Sequence, residues 1–350
     1  MLILDCHFEI FYIIITRYFI YIWRTYTCVP TSAFYCSFEM LTLYDVLEVA
    51  GDDVKRRKWM QKYKMVTDCS VCPACGAAMV KDTHRGKAGM RCSKKACRRR
   101  VSSVAGGLLE GSQLSQKEFL LLTYFWAHDC AGERAQTMLG HSPVTVATWS
   151  ARFRQCVLNQ QDATVDILGG PDMEVEADET EIGRKRKGLH GHDKQVLGDI
   201  RGVFERKTGK LYLETFDKLC SDSDERRFGP PNKMEASDLF DHIATGSIVF
   251  ADSAKAYIGP AKDHGLRLSC VDHGSGEYTR KEMLRGKLRV VSTQGIDGAW
   301  GNLKTWFNSK GGVMTDHILG YLKEFQWRHN IGSDDPFLRL CEHIRDGYFQ

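Results

Sequence analysis

Four cysteines with paired spacing are the strongest chemical signal in the chain: Cys72-Pro73-Ala74-Cys75-Gly76, then Cys92 and Cys97. A Cys-x2-Cys pair on a tight turn puts two thiolates on one side of a metal ion, and a second pair downstream completes a tetrahedral four-thiolate Zn²⁺ site. The second pair has four intervening residues rather than two, a looser spacing that still suits the purpose. Cys69 competes with Cys72, although Pro73 and Gly76 favour the later pair as the turn. A thioredoxin-like redox pair would need a βαβ context, which is missing here. The chain has thirteen cysteines, an odd number, and only this group is tightly spaced. That usage suits a reducing compartment with one metal site better than a disulfide framework. The same segment, 69–100, carries nine Lys/Arg against one acid, Asp82. Such an excess is what a phosphate-tracking surface needs, and Arg98, Arg99 and Arg100 directly behind the fourth cysteine suit DNA-backbone contact. The plainer alternative is a solvated basic face.

A set of acids is the second signal. Asp178 closes Glu174-Val175-Glu176-Ala177-Asp178, where strand alternation puts 174, 176 and 178 on one face. Asp252 closes the apolar run Ile248-Val249-Phe250-Ala251-Asp252, which reads as a central strand. An acid at the end of a buried strand must be paired, hydrogen-bonded or metal-bound to escape its desolvation cost. Two such acids on neighbouring strands can hold Mg²⁺ or Mn²⁺ between them, as two-metal phosphoryl transfer requires. Asp297 supplies a third acid near a helix start, and Lys304 lies seven residues on, two turns along the same face. A carboxylate there can face the metals while Lys304 reaches the DNA phosphate beside it. Taken alone, an acid in a first helical turn is an ordinary favourable placement.

These residues need elements to position them. At 350 residues, 43% apolar and 26% charged, with a net charge of +4, the chain has room for two to three small domains of ordinary globular composition. Residues 1–45 are an apolar N-terminal segment from which no fold is read. Its core, Ile10 to Trp23, is broken by Thr16 and Arg17 and follows Asp5, His7 and Glu9, so a positively charged signal-peptide start is missing. It also falls short of the roughly 20 clean apolar residues a spanning helix wants, and no membrane partner is expected. Residues 44–66 read as a polar, partly helical lead-in.

Three helices are expected within 110–165: residues 115–128, with Ser115 and Glu118 as a capping box, then 132–139, then a helix opening at Pro143 behind Ser142. The last two, split by a tight glycine-containing turn, match an all-α helix-turn-helix DNA-binding region; plain three-helix packing is the alternative. From Met173 the texture changes to strands at MEVEADE, VLGDIRGVFER, KLYLETF, SIVFAD and LRLSCVD, with a polar loop at 217–237 and helices at about 234–244, 296–309 and 315–329. Three consecutive strands followed by alternating helix and strand is the order of a ribonuclease H-like α/β sheet. The expected architecture is therefore multidomain: a zinc ribbon at 69–100, the helix-turn-helix at 110–165, a ribonuclease H-like catalytic domain at 170–332 and a C-terminal tail at 333–350.

The motifs VEADETEIGRKRK, IVFADSAKAY, VDHGSGEYTR, STQGIDGAWGNLKTWF and YLKEFQWRHN, in this order and behind the cysteine ribbon, resemble the Merlin-type transposases and their bacterial insertion-sequence relatives. The resemblance spans roughly residues 69–330. It implies a DDE-type enzyme that cuts double-stranded DNA at terminal inverted repeats and joins the ends to target DNA, acting as a homo-oligomer on paired ends. Asp178, Asp252 and Asp297 would then be the metal ligands, Lys304 the accompanying basic residue and Glu179 a supporting residue or alternative ligand. A eukaryotic member would work in the nucleus, a bacterial one in the cytoplasm or nucleoid. Two positions depart from the family's Thr-Asn-x-Ile-Glu motif, which here reads Thr293-Gln294-Gly295-Ile296-Asp297. Aspartate is one methylene shorter than glutamate, so its oxygens retreat by about 1.5 Å, and rate is sensitive to displacements of that size. A domesticated, catalytically weak DNA-binding protein is the alternative function. Arg184, Lys185, Arg186 and Lys187 offer a DNA-backbone contact, a nuclear-import patch or a solvated loop. His190, His192 and His273 are candidates for the neighbourhood of the acids, and Trp300, Trp306, Phe307, Phe325 and Trp327 have the spacing of helical core residues.

Overall fold

The computed structural model describes residues 40–347 except 67–68, 85–86, 106, 131, 163–166, 186–193, 216–237, 253–254 and 312–316. Most of the apolar N-terminal segment, the polar loop at 217–237, Arg186, Lys187, His190 and His192 lie outside the described residues.

The cysteine-rich segment folds as a three-stranded antiparallel sheet, β1 (Met79–His84), β2 (Lys87–Cys92) and β3 (Arg100–Ser102), in that order. Its interior is only Cys72, Met79, Met90 and Cys92, with a few half-buried neighbours. A core that small needs a cross-link to hold.

A helical layer surrounds it in sequence. Helices α1 (Leu43–Gly51) and α2 (Asp53–Lys62) meet at Asp52, whose carboxylate accepts the free N–H groups of Val54 (2.8 Å) and Lys55 (2.9 Å) at the start of α2. Helix α3 (Gln116–Ala127) opens on the expected capping box, Glu118 N–H to Ser115 Oγ at 3.2 Å and Ser115 N–H to Glu118 Oε2 at 2.7 Å. It is buried along most of its length, as its unbroken apolar run requires. Helices α4 (Glu133–Leu139) and α5 (Pro143–Asp162) are joined by three residues, with Gly140 left-handed at the exit of α4 and Ser142 Oγ accepting Thr145 N–H at 3.1 Å. Phe119, Trp126, Trp149 and Phe153 form the ring cluster at the centre.

A further helix near the C-terminus, Pro336–Gly347, completes this core with Phe337, Leu340, Cys341 and Ile344 at i, i+3, i+4 and i+7. The residues read as a tail thus contain an element. Its start signal is Asp335 before Pro336, whose carboxylate accepts Phe337 N–H (2.8 Å), Leu338 N–H (3.0 Å) and the distant Leu41 N–H (2.6 Å).

The second half is a mixed α/β layer structure. Strands β4 (Leu168–Gly169) and β8 (Ile243–Ala244) pair with each other in parallel. Strands β5 (Glu174–Lys185), β6 (Lys194–Glu205), β7 (Leu211–Thr215), β9 (Ile248–Asp252) and β10 (Arg267–Val271) form one sheet in the order β10-β9-β5-β6-β7. β5, β6 and β7 are antiparallel neighbours, while β5, β9 and β10 run parallel. Helix α6 (Ile258–Asp263) lies in the crossover between β9 and β10. One face packs Val175, Ala177, Val203, Val249 and Ala251 against Leu239, Phe240 and Tyr257. The other packs Ile182, Ile200, Leu211 and Leu213 against helices α7 (Gln294–Ser309) and α8 (Ile318–Asn330). The C-terminal helix Pro336–Gly347 is α9 in this numbering.

Helix α8 holds the two halves together. Its Asn330 and Gln326 side chains satisfy the open edge of β7: Leu211 N–H donates to Asn330 Oδ1, Asn330 Nδ2 donates back to Leu211 O, and Leu213 N–H donates to Gln326 Oε1, each at 2.8 Å. An edge strand covered in this way cannot pair with another chain. On the opposite side Trp327 enters the helical core beside Trp126, and buried Glu324 binds Arg154 (2.9 Å) and Arg328 (2.8 Å). The motif YLKEFQWRHN is therefore an assembly motif.

Between the sheet and α7 lies a hairpin the sequence reading did not anticipate, β11 (Arg280–Leu284) and β12 (Lys287–Val291), closed by the two-residue turn Arg285-Gly286 with φ of 50° and 76°. No helix among the described residues is long and apolar enough to cross a membrane.

Candidate functional site

The cysteine cluster forms as its spacing predicts. Cys72 and Cys75 sit in the turn before β1, Cys92 ends β2 and Cys97 lies in the turn before β3. The backbone closes each turn, through Gly76 N–H to Cys72 O (2.9 Å) and Arg98 N–H to Lys94 O (3.1 Å). The four sulfurs lie within 4.8 Å of one another, with Cys72 to Cys97 at 3.8 Å and Cys75 to Cys92 at 3.5 Å. A tetrahedron with metal–sulfur bonds of about 2.3 Å has edges of about 3.8 Å, so the quartet could hold a metal ion and fits a zinc ribbon. Backbone N–H groups of Ala74 and Cys75 pull the Cys72 thiol down to about 7, whereas desolvation pushes Cys92 up to about 12. Cys69, the competing ligand, stands outside the quartet and donates to Val71 O. Behind it, Arg98 and Arg99 are exposed, while Arg100 pairs with Asp82 at 2.8 Å.

The acids belong to the sheet. β5 and β9 pair through Ala177 and Ala251, so Asp178 and Asp252, one residue further on each strand, share a level and a face; Asp252 ends β9, whereas β5 continues past Asp178 to Lys185. Asp297 lies in the first turn of α7, which packs on that same face through Ile296, Ala299, Trp300, Leu303 and Phe307. Lys304 is exposed on the flank of α7 two turns beyond Asp297. Trp300 Nε1 donates to Asp178 Oδ2 at 2.9 Å. Burial pushes the Asp178 carboxyl up to about 6; the Trp300 and backbone hydrogen bonds oppose that rise, and the charges of Asp297 and Asp252 add to it. Asp252 is 43% exposed and faces His273 Nδ1 at 3.5 Å; His273 in turn lies against Tyr278 with ring centroids 5.0 Å apart. Thr293, the N-cap of α7, donates from Oγ1 to Asp297 Oδ2 at 3.2 Å. Among the described residues the three carboxylates are more openly spaced than the cysteines, the one group whose ligand atoms approach within 4.8 Å.

Glu179 points the other way, as alternation along β5 dictates. Its Oε1 accepts the buried Tyr257 hydroxyl, and desolvation, with the Glu179 charge, holds that phenol well above its ordinary range. Arg184 and Lys185 close β5.

What positions α7 is a set of residues that sequence reasoning passed over. Glu174 and Glu176 share the face of Asp178 but serve as anchors. Glu176, 2% exposed, accepts the free N–H of Ile296 in the first turn of α7 (2.8 Å) and Arg206 Nε (2.6 Å). Arg206 continues to Glu174 (3.0 Å) and to the carbonyls of Val290 (2.7 Å) and Ser292 (2.9 Å). Arg289 joins Glu174 and Asp172 at 2.6 and 2.7 Å, docking the hairpin to the sheet. Two glycines allow the close approach. A side chain at Gly295 would stand 2.5 Å from Phe204 and 3.0 Å from Glu176, and one at Gly202, paired with Asp178, would stand 2.9 Å from Trp300. The signals were the buried-strand alternation and the two glycines facing it.

Comparison with known proteins bears on this arrangement. Residues 233–330, which include Asp252, Asp297 and Lys304, match the family model described as an ISXO2-like transposase domain. A protein of Halobacterium salinarum described as an uncharacterized protein in transposable element ISH50 is 25% identical over 268 residues, covering 74% of this chain and 85% of its own. Among solved structures, the simian T-cell lymphotropic virus intasome in complex with PP2A regulatory subunit B56 gamma matches at 12% identity over 61% of this chain, with a TM-score of 0.28. This chain spans 65% of that one, just under two thirds, and at that score the likeness carries no argument about fold. On these matches, the chain is similar to insertion-sequence transposases, through its residues 233–330 and through a protein carried by a transposable element.

Proposed function

We propose that this chain is a DNA transposase whose Asp178, Asp252 and Asp297 form one divalent-metal centre for strand cleavage and strand transfer at terminal inverted repeats. The observation carrying this reading is that three acids, from β5, β9 and α7, lie on one sheet face, two of them inside the transposase-domain match. The strand order, with three antiparallel strands extended by two parallel ones, supports a ribonuclease H-like catalytic domain. Three hard oxygen donors, one pushed upward by burial and by like charges, form a donor set suited to Mg²⁺ or Mn²⁺. When bound, such ions stabilise the attacking and leaving oxygens of an in-line displacement at phosphorus.

The chain's own groups do the rest. Trp300 orients Asp178, Thr293 orients Asp297, and Glu176 with Arg206 holds the start of α7 so that the third acid keeps its place. Lys304 binds a phosphate of the DNA strand beside the acids, and Glu179, tied to Tyr257, braces β5 next to Asp178. In the front half a Zn²⁺-loaded ribbon presents Arg98 and Arg99 to the DNA backbone, helped by Arg184 to Lys187. Helices α4 and α5 act as a helix-turn-helix on double-stranded DNA. Two DNA ends must be brought together, so the working form is a homo-oligomer on DNA, in the nucleoid or nucleus according to host.

The test is cleavage of a duplex carrying the inverted repeats that flank the gene, with Mg²⁺ or Mn²⁺. Wild type should cleave and Asp252→Ala should not. Tight binding without cleavage by wild type would overturn the enzymatic reading.

A further inference from the structure

Helix α5 has two distinct faces. Val146, Trp149, Phe153, Cys156 and Val157 enter the helical core. The opposite face carries Val144, Ala147, Thr148, Ala151 and Gln155, spaced i, i+3, i+4, i+7 and i+11 and all exposed. Val144 is 74% exposed, and Met138 at the end of α4, just before the turn into α5, is 67% exposed. Single exposed apolar side chains are ordinary, but this face also lacks charge. From Pro143 to Ala151 the helix holds no Lys, Arg, Asp or Glu. Its two arginines are engaged elsewhere: Arg152 lies over the Trp149 ring at 4.8 Å and donates to Leu108 O at 3.4 Å, and Arg154 is held by buried Glu324 at 2.9 Å and covers Tyr321 at 3.7 Å.

In the major groove a guanine offers two acceptors, N7 and O6, which Arg or Lys reads. A thymine offers its C5 methyl, which apolar side chains contact. The leading end of a recognition helix is the part that reaches base edges, and in α5 that end is rich in methyl groups and poor in charged donors. Resting on the helix-turn-helix reading above, we propose that α5 reads A·T-rich duplex DNA by packing Val144, Ala147, Thr148 and Ala151 against thymine methyl groups. Affinity comes from backbone contacts made elsewhere on the chain, and α5 supplies the choice of sequence.

The experiment is a selection from a random-sequence duplex library with the full-length protein, followed by binding to the selected duplex with thymines replaced singly by uracil. A·T pairs should dominate the core protected by α5. Each contacted thymine should lose about fourfold in affinity on conversion to uracil, the worth of one buried methyl group. Val144→Ala, at an exposed position, should keep the wild-type melting temperature and bind thymine and uracil duplexes alike at the position it contacts. A G·C-dominated core, or indifference to uracil throughout the α5 footprint, overturns the methyl-reading proposal while leaving the helix-turn-helix in place. A library with no enriched sequence overturns both.

Discussion

Asp178 is costly to keep ionised, and replacing it should make the metal-free protein more stable while destroying the metal site. Burial, together with the charges of Asp297 and Asp252, raises its carboxyl to about 6, against about 3.9 in an unfolded chain. Because the folded-state value is the higher one, the folded chain binds the proton more tightly. The contribution of this one group to stability is therefore fully present below about pH 4 and is lost as pH rises through about 6. A rise of about two pH units, at about 1.4 kcal/mol each, corresponds to about 2–3 kcal/mol lost at neutral pH. Asp178→Asn keeps an oxygen for the Trp300 N–H and removes the charge. Urea unfolding without added divalent metal should find the variant about 2 kcal/mol more stable at about pH 7.5 and nearly equal to wild type at about pH 4. Added Mg²⁺ should then stabilise wild type, because a ligand that binds only the folded state adds to its stability, and leave the variant unchanged. A variant no more stable than wild type at neutral pH would refute the electrostatic account of the site, and equal Mg²⁺ stabilisation of both would show that the metal binds elsewhere.

Three further outcomes follow from the supporting structure. Glu176→Ala leaves the Arg206 guanidinium without its buried partner and the Ile296 N–H unsatisfied, and should cost about 3–5 kcal/mol in urea unfolding; a loss below about 1 kcal/mol would show that α7 is anchored by other means. Gln326→Ala uncovers the Leu213 N–H on the edge of β7 and should cost about 1–3 kcal/mol, with faster hydrogen exchange confined to β7 and α8; exchange unchanged in β7 would contradict the edge-covering role. Cys75→Ser should reduce bound zinc from one equivalent to none by elemental analysis and expose the amides of β1 to β3 to exchange, whereas retention of zinc would exclude the quartet as its site.

Local chemistry made some of this structure legible from the sequence, and tertiary chemistry hid the rest. The cysteine spacing identifies its own cluster because both pairs lie in turns that hydrogen-bond within a few residues. The capping box at Ser115 and Glu118 and the N-cap at Ser142 are equally local. Alternation correctly grouped Glu174, Glu176 and Asp178 on one face, but their different roles depend on Arg206, Arg289 and Trp300, which are about 30 to 120 residues away. The same remoteness concealed Gln326 and Asn330, whose partners on β7 are 113 and 119 residues distant. Two misses were readable. The run from Arg280 to Val291 alternates around an Arg-Gly turn, and Asp335-Pro336 followed by spaced apolar residues announces α9.

The central claim is that Asp178, Asp252 and Asp297 act as one centre. The most direct test is Mn²⁺-dependent cleavage and strand joining by the three single alanine variants and the Asp178→Ala/Asp252→Ala double variant, with DNA binding measured beside each. Each single change should lower the rate on the order of a hundredfold or more while leaving DNA affinity within about twofold, and the double variant should be no slower than the slower single one. Wild-type cleavage by any one of the three, or losses that multiply in the double variant, would contradict the assignment.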